Sequence, residues 1–389
     1  MKNISVIGAG YVGLANALVL AQQNKVSVFE IDKEKIKQLS NGVSTLDEDL
    51  AQKLLDKYLN TNLNIFNYDI DLIGKSEVCI IALPTDFNEE EKSFNVSTLI
   101  EVIEEISRKN PDTVIVVKST IPVGFCEHIK EKFGVNIFFC PEFLREGSSV
   151  EDCINPSRLI IGGENEKKLK LIEDIFKLAS NNNPSILKCT NLEAESIKLF
   201  SNSYLAIRVA FFNEVDNFAL SNDISSENLI RGISLDSRIG DFYNNPSFGF
   251  GGYCLPKDLS QAEQEFGEIP QKLFSAAIAS NRLRKEFLVK NILSTGQKTV
   301  GVYRLQMKKG SDNIKMSTSL DLANQLQSNG IKVIIFEPYL NHDILDSFEF
   351  IDDLVEFKTK SDLIIANRIT EDLKDVTSKV FTRDVFNQN

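Results

Sequence analysis

Cys254 stands in Gly249-Phe-Gly-Gly-Tyr-Cys-Leu-Pro-Lys-Asp258. Glycines let a ligand approach the backbone closely, and Lys257 puts a positive charge three residues from the thiol. A thiol beside a cation ionises more readily and is the better nucleophile. Most cysteines are small buried hydrophobes, and that inert reading suits Cys79, Cys140 and Cys126, which lie in or near apolar runs. It suits Cys254 poorly, because a glycine-rich polar loop is not a core environment. The sequence holds 2 histidines: His128 in a charged helical neighbourhood and His342 in an Asn-His-Asp stretch, neither beside a candidate nucleophile. Proton transfer therefore falls to a lysine, a carboxylate or an activated water.

A second constellation opens the chain. Gly8, Gly10 and Gly13 form GxGxxG between an apolar β-rich run, Ile4 to Ile7, and an apolar helical stretch. Glu30 follows about 20 residues on, at the end of the next strand, as a dinucleotide site requires. Gly8 permits the tight turn, Gly10 lets a pyrophosphate reach the backbone, and Gly13 allows close helix-to-strand packing. The helix N-terminus then faces the phosphates. Glu30 is expected to accept the adenosine ribose hydroxyls and to repel a 2′-phosphate, which favours NAD over NADP. Asp32 competes for that role but reads better as the cap of the following helix.

These residues need elements to hold them. Apolar strands are expected at Ile4 to Ile7, Val26 to Phe29, Val78 to Ala82, Val114 to Val117 and Ile137 to Phe139, alternating with helices as in a parallel, doubly wound sheet. Asn191 to Leu220 reads as one long helix without Gly or Pro. On it, Lys198 and Asn202 are four residues apart and share one face, although a lone helix lysine is more often simply solvated. Loop signals dominate Asp241 to Pro256. Further strands at Thr299 to Tyr303, Lys332 to Phe336 and Leu363 to Ala366 close a second α/β domain. The fold class is thus two Rossmann-like α/β domains joined by a long central helix: residues 1–190 are expected to bind NAD, 191–285 to form a helical, dimerising region with the cysteine loop, and 286–389 to form the second α/β domain.

Bulk properties fit a globular chain of 389 residues, 42% hydrophobic and 25% charged, near the average for such proteins. A net charge of −12 argues against nucleic acid, which needs a basic face. The 6 irregularly spaced cysteines favour free thiols in a reducing compartment, and no Cys/His cluster suggests a metal. No apolar run approaches the ~20 residues of a membrane span. The chain reads as cytoplasmic.

Taken together, Gly8-Ala-Gly-Tyr-Val-Gly-Leu14, Lys118-Ser-Thr-Ile-Pro-Val-Gly124, Pro141-Glu-Phe-Leu-Arg-Glu146, Glu195-Ser-Ile-Lys198 with Asn202, and Asn245-Pro-Ser-Phe-Gly-Phe-Gly-Gly-Tyr-Cys-Leu-Pro-Lys-Asp258 resemble the nucleotide-sugar dehydrogenases. Gly301-Val-Tyr-Arg-Leu305 and Phe336-Glu-Pro338 look like a shorter bacterial branch of that family. The resemblance implies a four-electron oxidation of UDP-glucose to UDP-glucuronate by two NAD. Cys254 would capture the aldehyde as a thiohemiacetal and release the product from a thioester. Lys198 resembles the lysine that stabilises the oxyanion or alkoxide, with Asn202 beside it, while Asp258, Thr120 and Glu146, unranked among themselves, resemble the groups that hold water and move protons. For the cofactor the resemblance points to Gly8, Gly10, Tyr11, Val12, Gly13, Glu30, Lys35, Pro84, Thr85, Thr120, Glu146, Lys257 and Lys315. Lys315 stands where the family generally has arginine and lacks its bidentate fork. For the substrate it points to Glu142, Phe143, Leu144, Arg145, Lys198, Asn202, Tyr243, Asn244, Ser247 and Gly251, with Arg238 resembling an arginine donated by a neighbouring subunit of a homodimer or higher oligomer. Capsule or cell-surface glycan synthesis is the setting implied.

The cysteine loop and the Phe143-Leu144 pair favour UDP-glucose over UDP-N-acetylmannosamine or GDP-mannose. A non-catalytic NAD-binding regulator would have no need of intact Cys254, Lys198 and Asp258.

Overall fold

A computed structural model describes residues 1–88, 93–145, 147–252, 254–305, 317–338 and 347–387. The chain divides into two compact units, Met1–Leu199 and Phe200–Asn389. Among the described residues no helix is long and apolar enough to cross a membrane.

The first unit is built on strands β1 (Asn3–Ile7), β2 (Lys25–Glu30), β3 (Leu63–Asn67), β4 (Val78–Ile81), β7 (Val114–Val117) and β8 (Asn136–Phe139), paired in parallel in the order β3-β2-β1-β4-β7-β8. A short antiparallel pair, β5 (Phe87–Asn88) and β6 (Ser93–Phe94), follows β4. A separate parallel pair, β9 (Arg158–Gly162) and β10 (Ser185–Cys189), precedes the central helix. The strands are apolar on both faces because helices cover both. Ile4, Val6, Val28 and Ile80 enter one core, while Ile7, Phe29, Cys79 and Ile81 enter the other. Strand order reverses between β1 and β4, and in such sheets ligands sit outside the carboxyl ends at that point.

In the second unit β11 (Thr299–Tyr303), β12 (Lys332–Phe336), β13 (Glu349–Phe350), β14 (Leu363–Ala366) and β15 (Val380–Phe381) form a parallel sheet in the order β13-β12-β11-β14-β15. Val300, Val302 and Ile335 pack on one face, and Tyr303, Ile334 and Phe336 on the other. A further cluster joins Ala206 and Val209 of the central helix (Asn191–Ser221) to Phe250, to Leu259 of the helix Cys254–Glu265, and to Ala277 of the helix Leu273–Ser294. That cluster supports the cysteine segment.

The strands expected from sequence lie within one residue of those observed, and the long helix ends one residue later than expected. The Asp241–Pro256 reading needs correction: Cys254 is the first residue of a helix, not part of the loop. Pro256 misleads, since a proline in the first turn gives up an N–H that has no intrahelical acceptor in any case. The loop is also less polar in its setting than its composition suggests, because Phe248 and Phe250 are buried.

Gly301 sits where the helix Leu354–Lys360 presses on β11; a Cβ there would stand 2.2 Å from Ser361 Oγ and 2.7 Å from Phe357. Gly301→Ala is therefore expected to destabilise the second unit by about 1–3 kcal/mol through overpacking. Urea unfolding checks it, and an unchanged midpoint would refute this account of the helix-to-sheet contact.

Candidate active site

In the first unit the carboxyl ends of neighbouring strands carry the Gly8–Gly13 turn, Glu30, Pro84, Thr85 and Thr120, while Lys257 belongs to the second unit. Gly8 follows β1 with φ +94°. A Cβ on Gly13 would come within 1.9 Å of the Gly8 carbonyl oxygen, so only glycine permits this turn-to-helix approach. Gly10 caps the helix Tyr11–Leu20, and nothing lies within 4 Å of where its Cβ would be. That open backbone at the positive end of a helix dipole is the cradle a pyrophosphate needs.

At the end of β2, Glu30 accepts hydrogen bonds from Ala9 N (2.9 Å), Ile31 N (2.7 Å) and Asp32 N (3.1 Å). A carboxylate has about four lone-pair sites, so one is left for a ribose hydroxyl. Asp32 accepts from Glu34 N and Lys35 N, which makes it the cap of the next helix. These residues fit a bound dinucleotide. After β4 and β7, Thr85 Oγ1 donates to Thr120 O (2.7 Å) and Ser119 Oγ to Leu83 O (2.7 Å), tying the Pro84-Thr85 and Thr120 loops together. Glu146 and Lys315, together with Tyr253 and His342, lie outside the described residues.

The Pro141–Arg145 loop follows β8. Its Glu142 carboxylate pairs with Lys118, whose side chain is 1% exposed, and its Glu142 carbonyl accepts from Lys198 Nζ at 2.7 Å. Arg158 lies 3.9 Å, and Lys198 Nζ 5.2 Å, from the Phe143 ring centre. Arg145 forks onto Asp152. Residues 142–145 line a cavity of about 370 Å³ with Leu20, Cys153 and Phe176. With that space beside it, the loop is positioned by its polar pairings more than by packing.

In the second unit Cys254 opens its helix half-buried, while Lys257 and Asp258 one turn on are buried. Asn202 on the central helix donates to Asp258 Oδ2 at 2.5 Å. Burial pushes the thiols of Cys79, Cys126 and Cys140 up, which keeps them protonated and unreactive. The loop before Cys254 is fixed at several points: Asn244 Nδ2 donates to Ser234 Oγ (2.7 Å), Ser247 N to Asn213 Oδ1 (2.8 Å), and Phe250 N to Asn281 Oδ1 (2.9 Å). Tyr243 holds φ +55° and is half exposed, and Gly251 is partly exposed. Arg238 is at the surface, 88% exposed, with its guanidinium on Asp236. His128 is exposed.

Reasoning from sequence missed Lys118 as a member of this site, as well as Asn213, Asn281 and Arg284, which hold the loop. No local signal marks them, because Lys118 follows a strand and each of these residues finds its partner far along the chain. The first unit offers a lysine on the Glu142 carbonyl and a carboxylate paired with Lys118, and the second a thiol and a buried carboxylate with an amide partner. A thiol can do nucleophilic chemistry, and a lysine or a buried carboxylate acid–base chemistry.

Lys118→Met leaves the Glu142 charge without its partner and is expected to cost about 3 kcal/mol, whereas replacing both residues by Met restores most of the loss. Urea unfolding of the two variants distinguishes them; a double variant no more stable than the single one would show that the pair does not act as a unit.

Comparison with known proteins fits this geometry. Residues 2–180 match the NAD binding domain, 192–283 the central domain and 301–388 the UDP binding domain of the UDP-glucose/GDP-mannose dehydrogenase family. The UDP-glucose 6-dehydrogenase of Campylobacter jejuni is 41% identical, covering 98% of each chain. A solved UDP-glucose dehydrogenase from Pyrobaculum islandicum superposes with TM-score 0.85 at 25% identity, covering 94% of this chain and 89% of the other. A UDP-D-ManNAc dehydrogenase from Pyrococcus horikoshii shares the fold with TM-score 0.81 at 22% identity, covering 99% and 100%. With three consecutive domain models matched in order and a full-length relative at this identity, the chain belongs to the UDP-glucose/GDP-mannose dehydrogenase family, whose first domain binds NAD.

Proposed function

We propose that this enzyme oxidises C6 of UDP-glucose to the carboxylate of UDP-glucuronate through a covalent intermediate on Cys254. The observation that carries the proposal is the placement of Cys254 at a helix N-terminus one turn before buried Lys257 and Asp258, with Asn202 on the Asp258 carboxylate. The Gly8–Gly13 turn, Glu30, Lys35, Pro84, Thr85, Thr120, Lys257 and, outside the described residues, Glu146 and Lys315 would hold NAD, which when bound would supply the hydride acceptor, one hydride per cofactor and two per sugar.

The C6 hydroxyl loses its proton to a water held by Asp258, Thr120 or Glu146 as the first hydride leaves. Cys254 Sγ adds to the aldehyde carbon, and the carbonyl oxygen takes up the thiol proton, which retains the aldehyde as a thiohemiacetal. The Lys198 ammonium and Asn202 stabilise the oxygen while it carries negative charge. Loss of the second hydride, together with the hydroxyl proton, leaves a thioester. Water adds to that thioester, the carbon–sulfur bond breaks, and Cys254 regains its proton. Glu142, Phe143, Leu144, Arg145, Tyr243, Asn244, Ser247 and Gly251 bind the sugar nucleotide.

Residues 1–190, 191–285 and 286–389 act in this reading as the NAD-binding, central and UDP-sugar-binding domains, in the cytoplasm. The assembly is a homodimer or a higher homo-oligomer. Tyr204, Phe211 and Phe218 form a stripe at seven-residue spacing on the central helix, 60%, 54% and 60% exposed. Burying three aromatics in a helix-to-helix contact is strongly favourable. The surface position of Arg238 suits an arginine that reaches a partner's substrate. Another sugar nucleotide, UDP-N-acetylmannosamine or GDP-mannose, is the competing substrate, since enzymes with different substrates share the fold.

With limiting UDP-glucose, absorbance at 340 nm should show two NADH per sugar in the native enzyme. Cys254→Ser should lower steady-state turnover by about 10³-fold or more, as expected when a covalent route is lost. Turnover with GDP-mannose or UDP-N-acetylmannosamine alone would overturn the substrate, and full turnover by the serine variant would overturn the mechanism.

A further inference from the structure

The second unit buries a cluster of charges that the chemistry above does not use. Asp216 of the central helix is fully buried and Arg284 of the helix Leu273–Ser294 is 1% exposed. Arg284 donates to Asp216 from Nη2, and Arg383, beyond β15, forks onto the same carboxylate. Arg284 also donates to Ser247 O from Nε (3.1 Å) and from Nη2 (2.9 Å). The residues after Arg383 hold the same loop a second time: Asn245 Nδ2 donates to Asp384 Oδ1 (2.6 Å), and Val385 N donates to Asn245 Oδ1 (3.2 Å).

A buried ion cluster is a poor way to gain stability, because apolar residues of similar volume usually do as well or better. What apolar residues cannot do is fix individual carbonyl and amide atoms of a loop. The loop from Asn244 to Gly252 contains three glycines, and glycine gives up more conformational freedom on ordering than any other residue.

We propose that the Arg383–Asp216–Arg284 cluster is a positioning device, through which the segment Arg383–Val385 sets the Asn245–Phe250 loop and so the affinity for the sugar nucleotide. The proposal rests on the reading of that loop as a substrate-binding element. Arg383 is a positioning residue here, acting through Asp216 and Asp384's neighbouring contact on Asn245, not on the substrate itself.

Arg383→Ala is the informative variant, since Asp216 keeps Arg284 as a partner and the fold should survive. Arg383→Lys keeps the charge without the fork. Two readouts are needed. Hydrogen exchange of the Ser247 and Phe250 amides in the unliganded protein should speed up about tenfold or more in Arg383→Ala, with amides of the first unit unchanged. The KM for UDP-glucose should rise about tenfold, the loss of one or two buried charged hydrogen bonds, while kcat and the KM for NAD stay within about twofold, and Arg383→Lys should recover part of the loss. A fall in thermal stability with loop exchange and KM unchanged would overturn the proposal and leave the cluster a purely structural feature. Faster loop exchange with an unchanged KM would likewise sink the link to affinity. If the native enzyme turned over no UDP-glucose, the substrate reading would fail by itself, and loop exchange with affinity for the true sugar nucleotide would decide the positioning claim.

Discussion

A charge removed from water must be met by an opposite charge or by hydrogen bonds, and the segments of this chain that carry its chemistry are fastened where that requirement is met. Lys118 and Glu142 fasten the loop after β8. Asn202 and Asp258 fasten the helix that begins at Cys254 to the central helix. Asp216, Arg284 and Arg383 fasten the glycine loop. Packing alone would leave all three segments room to shift, because a hydrophobic contact is non-directional, whereas a buried charge pair has one favourable geometry. The cost of burying these charges is what keeps the alternatives few.

The sheets were the most legible part of the sequence. Val114–Val117, Thr299–Tyr303, Lys332–Phe336 and Leu363–Ala366 are short apolar runs between breakers, and strands covered on both faces read in that way. The apolar run of β9 went unread, and other elements that escaped are of a different kind. β13 and β15 are two residues each at the edges of their sheet, and β10 exposes most of its residues, so neither length nor hydropathy marks them. The start of the helix at Cys254 was hidden by Pro256, whose turn-forming reputation outweighs its tolerance in a first helical turn.

The site was legible in proportion to how local its signals are. Gly8, Gly13 and Glu30 announce themselves because a tight turn, a close approach and a ribose acceptor are requirements within one βαβ unit. Lys198 and Asn202 could be read as one face of a helix. Lys118, Asp216, Arg284 and Arg383 could not. Lysine, arginine and aspartate are mostly exposed, and nothing in a single sequence shows which of 43 basic and 55 acidic residues are taken out of water. Their partners stand 24, 68 and 167 positions away, so pairing is a product of tertiary structure alone.

The two kinds of segment differ in what fixes them. The cofactor turn is constrained by sterics: any side chain at Gly13 collides with the Gly8 carbonyl, so sequence change there is closed off. The Asn244–Gly252 loop is rigid only through its partners, Asn213, Asn281, Arg284 and Asp384. Substitution at any of those distant positions would move its carbonyl and amide groups without touching the glycines or Cys254. If that loop meets the sugar, as proposed, a fold that keeps its dinucleotide turn fixed and suspends the loop from side chains far along the chain can change its sugar while keeping its chemistry. On that reading, specificity would be set as much by buried residues behind the loop as by those that meet the ligand.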